Sequence, residues 1–124
     1  MATHNETGKW GEELAALYLT RLGYNIMERN WRSGHREIDI IALDPDKYTI
    51  VFVEVKTRSS DTLTQPEDAV DHDKTRNLGI AASHYATAND LTNRLRFDIV
   101  SVIGHNAQDA VIRHTTDAFN PSLD

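Results

Sequence analysis

Asp39, Glu54 and Lys56, with Glu37 close by, are residues whose types and spacing suit chemistry on a phosphate. They lie in two apolar runs, Glu37-Ile38-Asp39-Ile40-Ile41 and Val51-Phe52-Val53-Glu54-Val55-Lys56, joined by the turn-like Asp44-Pro45-Asp46-Lys47. Runs rich in Ile, Val and Phe around such a turn predict a β-hairpin. Alternation along a strand puts Glu37, Asp39 and Ile41 on one side of the first strand, and Ile50, Phe52, Glu54 and Lys56 on one side of the second. The acids and the lysine then meet only if paired residue numbers add to an odd total, with Asp39 opposite Glu54 and Glu37 opposite Lys56; a slip by one residue separates them.

Carboxylates gathered this way repel by about 3 kcal/mol at about 5 Å and an effective dielectric of about 20. A divalent cation removes that penalty, and hard oxygen ligands suit Mg²⁺ or Mn²⁺, which takes one or two carboxylates and fills its shell with water and phosphate. Lys56 is then placed to orient or help deprotonate an attacking water. The competing reading is a solvated strand face with ordinary cross-strand ion pairs, and spacing alone leaves both standing.

The hairpin needs elements around it. Gly8 to Leu22 carries Trp10, Leu14, Leu17, Tyr18 and Leu22 at helical spacing, with Gly23 as its C-terminal stop. Glu12 and Glu13 fall in its first turn or so, where acids complement the helix dipole. Tyr24 to Arg29 reads as a short strand and Asn30 to Arg36 as a basic loop. In that loop Trp31, Arg32 and Arg36 form either a base-stacking and phosphate-holding group or a buried tryptophan between solvated arginines. Pro66-Glu67-Asp68 marks a helix start, and Val70, Leu78, Ala81, Ala82 and Tyr85 continue the pattern to about Ala88, with Lys74 and Arg76 on the way. Leu95 to Ile103 and Ala110 to Thr115 read as strands, and the tail from Asp117 is expected to fray.

Composition bounds the rest. A chain of 124 residues, 40% hydrophobic and 26% charged, supports one domain around a single core. It has no cysteine, and its six histidines show no zinc-ligand spacing. No secretory signal core and no run of ~20 apolar residues is visible, so a cytoplasmic location is expected and no membrane partner. The net charge of −6 argues against a nucleic-acid coat protein, but it is uneven: −1 through Ser60 and −5 from Asp61 onward. An anionic substrate should approach the first half.

Taken in order, Gly8-x-x-Gly11-Glu12-x-x-Ala15, Gly23-Tyr24, Arg29-Asn30-Trp31-Arg32, Glu37-Ile38-Asp39-Ile40-Ile41-Ala42, Val51 to Arg58, Pro66 to Val70 with Lys74, and Arg96-Phe97-Asp98 resemble the YraN family over nearly the whole chain. That family of bacterial predicted endonucleases is similar to archaeal Holliday-junction resolvases and the PD-(D/E)xK nucleases. The resemblance implies an α/β fold of restriction-endonuclease or resolvase type, a central mixed sheet of about five strands flanked by helices. It places Asp39 as the motif aspartate, Glu54 as the second acid, Lys56 as the motif lysine and Glu12 as the helix glutamate. Asp39, Glu54 and Glu12 are thus the expected ligands of Mg²⁺ or Mn²⁺, and Arg32, Arg36, Arg58 and Lys74 the expected phosphate contacts. Glu37, Thr57 and His35 sit beside this set without an assigned step.

Arg36 stands where the family has glycine before its Glu-Ile-Asp run, with Gly34 two positions upstream; it either narrows the site or adds a phosphate contact. The function expected is metal-dependent hydrolysis of nucleic-acid phosphodiesters, in structured or branched DNA, by a chain that the resolvase resemblance implies is a two-fold homodimer. The runner-up is a non-catalytic module on the same fold that binds nucleic acid or a protein.

Overall fold

In the computed structural model, which describes residues 4–59 and 72–121, the elements run α1 (His4–Arg21), β1 (Asn25–Ser33), β2 (Arg36–Leu43), β3 (Ile50–Arg58), α2 (His72–Ala88), β4 (Leu95–Ile103) and β5 (Val111–Thr115). This is the α-β-β-β-α-β-β order that the sequence predicts. The expected helix start at Pro66 lies outside the described residues. The strands form one five-stranded mixed sheet in the order β1-β2-β3-β4-β5. Neighbours are antiparallel except β3 and β4, which are parallel, as a crossover through α2 requires.

Each helix covers one face of the sheet. Ala15 and Leu19 of α1 pack on Ile40, Ala42, Val51, Val53, Val100 and Val102. Leu78, Ala81, Ala82 and Tyr85 of α2 pack on Ile38, Ile41, Ile50, Phe52 and Phe97. Strands covered on both faces read as apolar runs, as Ile50 to Val53 of β3 does, while β4, buried along most of its length, carries Arg96, Asp98 and Ser101 among its apolar residues. α1 ends at Gly23, whose φ of 97° is the left-handed cap that glycine takes without strain.

The stretch expected as a basic loop is instead sheet. β1 continues through Trp31 and Arg32 to Ser33, pairs Ser33 with Arg36, and leaves only Gly34 and His35 as a two-residue turn. Gly34 supplies the positive φ of 64° that a tight hairpin turn needs. Strand extension won because Trp31 has a core to pack on: its half-buried ring meets Tyr85 edge-on at 5.2 Å. The tail is also docked as far as Phe119. Asp117 N–H donates to Asp98 (3.0 Å), Ala118 N–H to the Phe97 carbonyl (2.7 Å), and Phe119 packs on Phe97 at 5.5 Å.

Under α1, β4 carries a buried polar network. Arg96 makes two bonds of 2.9 Å to Asp98, one of 2.8 Å to Asp44 and one of 2.8 Å to the Tyr24 hydroxyl. His114 Nε2 lies 2.8 Å from Asp98, and His114 Nδ1 lies 3.2 Å from the Tyr18 hydroxyl. Burial alone would raise the Asp98 carboxyl, yet the hydrogen bonds from His114, Arg96 and Asp117 hold it below its ordinary range. The network ties α1, the β2–β3 loop, β4 and β5 together.

Candidate active site

β2 and β3 part in the middle of the sheet. Their pairing runs from Leu43–Ile50 to Ile40–Val53, an odd total throughout, so the next pair in register would be Asp39 and Glu54. That pair does not form. The Asp39 carboxylate occupies the gap instead and accepts the Val55 N–H at 2.8 Å, a bond the ladder would otherwise have made.

The parting changes which side chains share a face. Ile38 packs with the α2-side cluster and Ile40, two residues on, with the α1-side cluster, so alternation breaks at Asp39. The expectation that Glu37, Asp39 and Ile41 share one side is therefore overturned. In the neighbouring strand Asn30, between the pairs Arg29–Ile40 and Trp31–Ile38 and so opposite Asp39, takes a left-handed φ of 53°. In the orientation that satisfies its neighbours, Asn30 Nδ2 donates to Glu12 Oε1 (2.9 Å) and Glu37 Oε1 (3.2 Å). Glu37 thus joins Glu12 and also pairs with Arg32 at 2.7 Å, rather than lying in register across from Lys56.

β3 keeps its alternation, because it pairs residue by residue with β4 from Ile50 to Arg58. Glu54, Lys56 and Arg58 follow Phe52 on the α2 side, while Val53, Val55 and Thr57 face α1. Thr57 lies directly under Gly11: a side chain at 11 would overlap Thr57 Oγ1 and sit 3.0 Å from its Cβ and Cγ2. Glycine at 11 thus lets α1 approach the end of β3 and sets Glu12 there. The result is a gap with Asp39 inside it, Glu12 on the α1 side and Glu54 on the α2 side.

Electrostatics agree with this crowding. Burial, and after it the Glu12, Glu54 and Glu37 carboxylates, push the Asp39 carboxyl from 3.8 up to about 7, against the Val55 N–H bond that favours its anion. Burial and Glu37 likewise raise Glu12, partly offset by Asn30. Glu54 is only 5% exposed. Its Oε1 lies against the Lys74 ammonium as an ion pair.

Among the described residues, no three His, Asp or Glu side chains form a ready-made metal cage. Two or fewer carboxylates suffice for Mg²⁺, which keeps several waters, so the donor chemistry still fits. Hard oxygens and mutual repulsion among Asp39, Glu12 and Glu54 are what a divalent cation would resolve.

The expected phosphate contacts divide. Arg36 Nε donates to Asn77 Oδ1 (3.1 Å), and both line a cleft of about 170 Å³ with His35, Glu37, Lys74 and Leu78. The cleft joins the Gly34-His35 turn to α2, and Lys74 connects it to Glu54. Arg36 thus lines the cleft, while the tight turn itself is made by Gly34. Arg58 lies at the far end of β3 and Arg32 outside with Glu37. Glu13 pairs with Arg29 at 2.9 Å, a structural role.

Sequence reasoning missed Asn30 and Asn77. Asn30 had a signal, since asparagine tolerates the left-handed region; Asn77 had none, because its partner is distant in the chain.

Among the described residues no helix is long and apolar enough to cross a membrane. Residues 11–102 match the model of the uncharacterised protein family UPF0102. A UPF0102 protein of Bacteroides thetaiotaomicron is 46% identical over 99% of this chain and 99% of its own. Another, from Nitratidesulfovibrio vulgaris, is 47% identical over 92% of this chain and 84% of its own. One from Flavobacterium psychrophilum is 43% identical over 96% and 98%. The chain therefore belongs to the uncharacterised protein family UPF0102, the YraN family that its motifs resemble.

Proposed function

We propose that this protein is a metal-dependent endonuclease that hydrolyses nucleic-acid phosphodiesters in the cytoplasm, with structured or branched DNA as its substrate. The observation that carries the reading is the parting of β2 from β3, which sets the Asp39 carboxylate in a gap beside the buried Glu54. Asp39 and Glu54 would hold Mg²⁺ or Mn²⁺, with Glu12 contributing directly or through water. Such an ion, when bound, supplies positive charge to a phosphoryl oxygen.

The chain's own groups do the rest. Lys56, on the Glu54 side of β3, positions the attacking water through its ammonium. Arg36 and Lys74 hold a phosphate in the cleft, and Arg58 and Arg32 hold flanking phosphates. Symmetric cutting of two strands calls for a two-fold homodimer.

A second reading, a non-catalytic module that binds nucleic acid or a protein, draws support from the acidic second half and the absence of a ready-made cage among the described residues. Titration of Mg²⁺ and Mn²⁺ against single-stranded, duplex and branched DNA and against RNA, beside Asp39→Asn, separates the two. Metal-dependent cleavage lost in Asp39→Asn supports the nuclease. Cleavage that survives the substitution belongs to a contaminant, and specific binding without cleavage favours the module.

A further inference from the structure

We propose that Lys74 is a counter-ion shared between Glu54 and the neighbouring cleft, neutralising Glu54 when no divalent cation is bound and turning to a nucleic-acid phosphate when one is. The inference rests on the nuclease reading and assigns that site an internal competitor for its metal.

Glu54 is 5% exposed, and a carboxylate so buried needs a compensating charge. In this structure the compensation comes from Lys74, whose side chain is 59% exposed and reaches in from the first turn of α2. The two partners differ in freedom. Glu54 is fixed in a strand paired on to β4, whereas the lysine stem has four rotatable carbons and a point charge that accepts any direction of approach.

Lys74 also lines the cleft that holds His35, Arg36 and Asn77. There Arg36 is tethered to Asn77, so its guanidinium is already placed, while Lys74 is paired with Glu54 at the cleft's margin. A doubly charged ion on Glu54 takes over the neutralising role and repels the ammonium. The displaced ammonium then joins Arg36 in the cleft, where the Glu37 carboxylate is already paired with Arg32, and the two cations suit a phosphate. Linkage makes the effect reciprocal: metal raises affinity for the strand, and the strand raises affinity for metal by the same factor.

The test uses the whole chain as wild type, Lys74→Gln and Lys74→Arg, with thermal melts confirming that all three fold. Mn²⁺ affinity is read by calorimetry without nucleic acid, and affinity for a duplex oligonucleotide by fluorescence anisotropy with and without Ca²⁺. Removing a half-exposed competing pair should tighten Mn²⁺ binding of Lys74→Gln by about threefold or more. The same variant should lose the Ca²⁺-induced gain in oligonucleotide affinity that the wild type shows. Lys74→Arg keeps the competing charge and should bind Mn²⁺ as the wild type does. Wild type that binds Mn²⁺ with Lys74→Gln unchanged or weaker overturns the inference and leaves the nuclease reading standing. An undiminished Ca²⁺ gain in Lys74→Gln overturns the transfer to the cleft. Wild type that binds no Mn²⁺ overturns both.

Discussion

Replacing Asp39 by Asn should stabilise the metal-free protein, and should do so in a defined pH window. The Asp39 carboxyl is pushed from 3.8 up to about 7 by burial and the acids around it. Its folded-state pKa therefore lies above its unfolded value, and the folded chain binds this proton more tightly. Stability from this group is complete below about pH 4, falls as pH rises to about 7, and stays low above that. A shift of about three units at 1.36 kcal/mol each sets a ceiling of about 4 kcal/mol on the loss.

Asn keeps an acceptor for the Val55 N–H and removes the charge, so Asp39→Asn should recover a large part of that ceiling at pH 8. For a domain of this size, a recovery of 2 to 3 kcal/mol corresponds to roughly 10 °C in Tm. Urea unfolding in EDTA at pH 4.5 and pH 8 gives the comparison. The wild type should lose stability between the two and the variant much less. Asp98 does not confuse the result, because its carboxyl is held low and its contribution is lost only at more acid pH. Parallel curves for the two proteins, or a variant less stable at pH 8, would refute the argument that Asp39 sits among repelling acids.

Further substitutions test other parts of the framework. Gly11→Ala puts a methyl into Thr57 and should destabilise by about 1–3 kcal/mol in chemical denaturation, with partial recovery on adding Thr57→Ala. Asp98→Ala leaves Arg96 and His114 without their shared carboxylate under α1 and should cost about 3–5 kcal/mol by the same measurement. Arg36→Ala should weaken nucleic-acid binding across all sequences and lower the salt slope of log K by about 1, as expected for one lost phosphate contact.

The sequence showed more of the fold than of the site. Leu95–Ile103 was legible to the residue because Leu95, Phe97 and Ile99 alternate with Arg96, Asp98 and Val100 before the stretch turns apolar, as an interior strand does. The odd register of β2 and β3 was legible as a condition, since only that pairing brings the motif acids together. What strict alternation could not show was its own failure at Asp39. That break comes with a left-handed residue opposite Asp39 in the next strand and a carboxylate replacing a ladder partner, both visible only once the strands are paired. The 30–36 segment was misread for a related reason: its charges look like a loop until Trp31 finds Tyr85 in α2. Lys74 against Glu54 and Arg36 against Asn77 join residues far apart in the chain, and no local pattern encodes them.

The central claim is that the gap between β2 and β3 is a seat for a divalent cation. A crystal soaked in Mn²⁺ and measured at the manganese absorption edge tests it directly. The account predicts one anomalous peak within coordinating distance of both the Asp39 and Glu54 carboxylates, with Lys74 moved off Glu54, and no such peak in Asp39→Asn. A fully occupied peak elsewhere on the chain, with Lys74 still against Glu54, would contradict it.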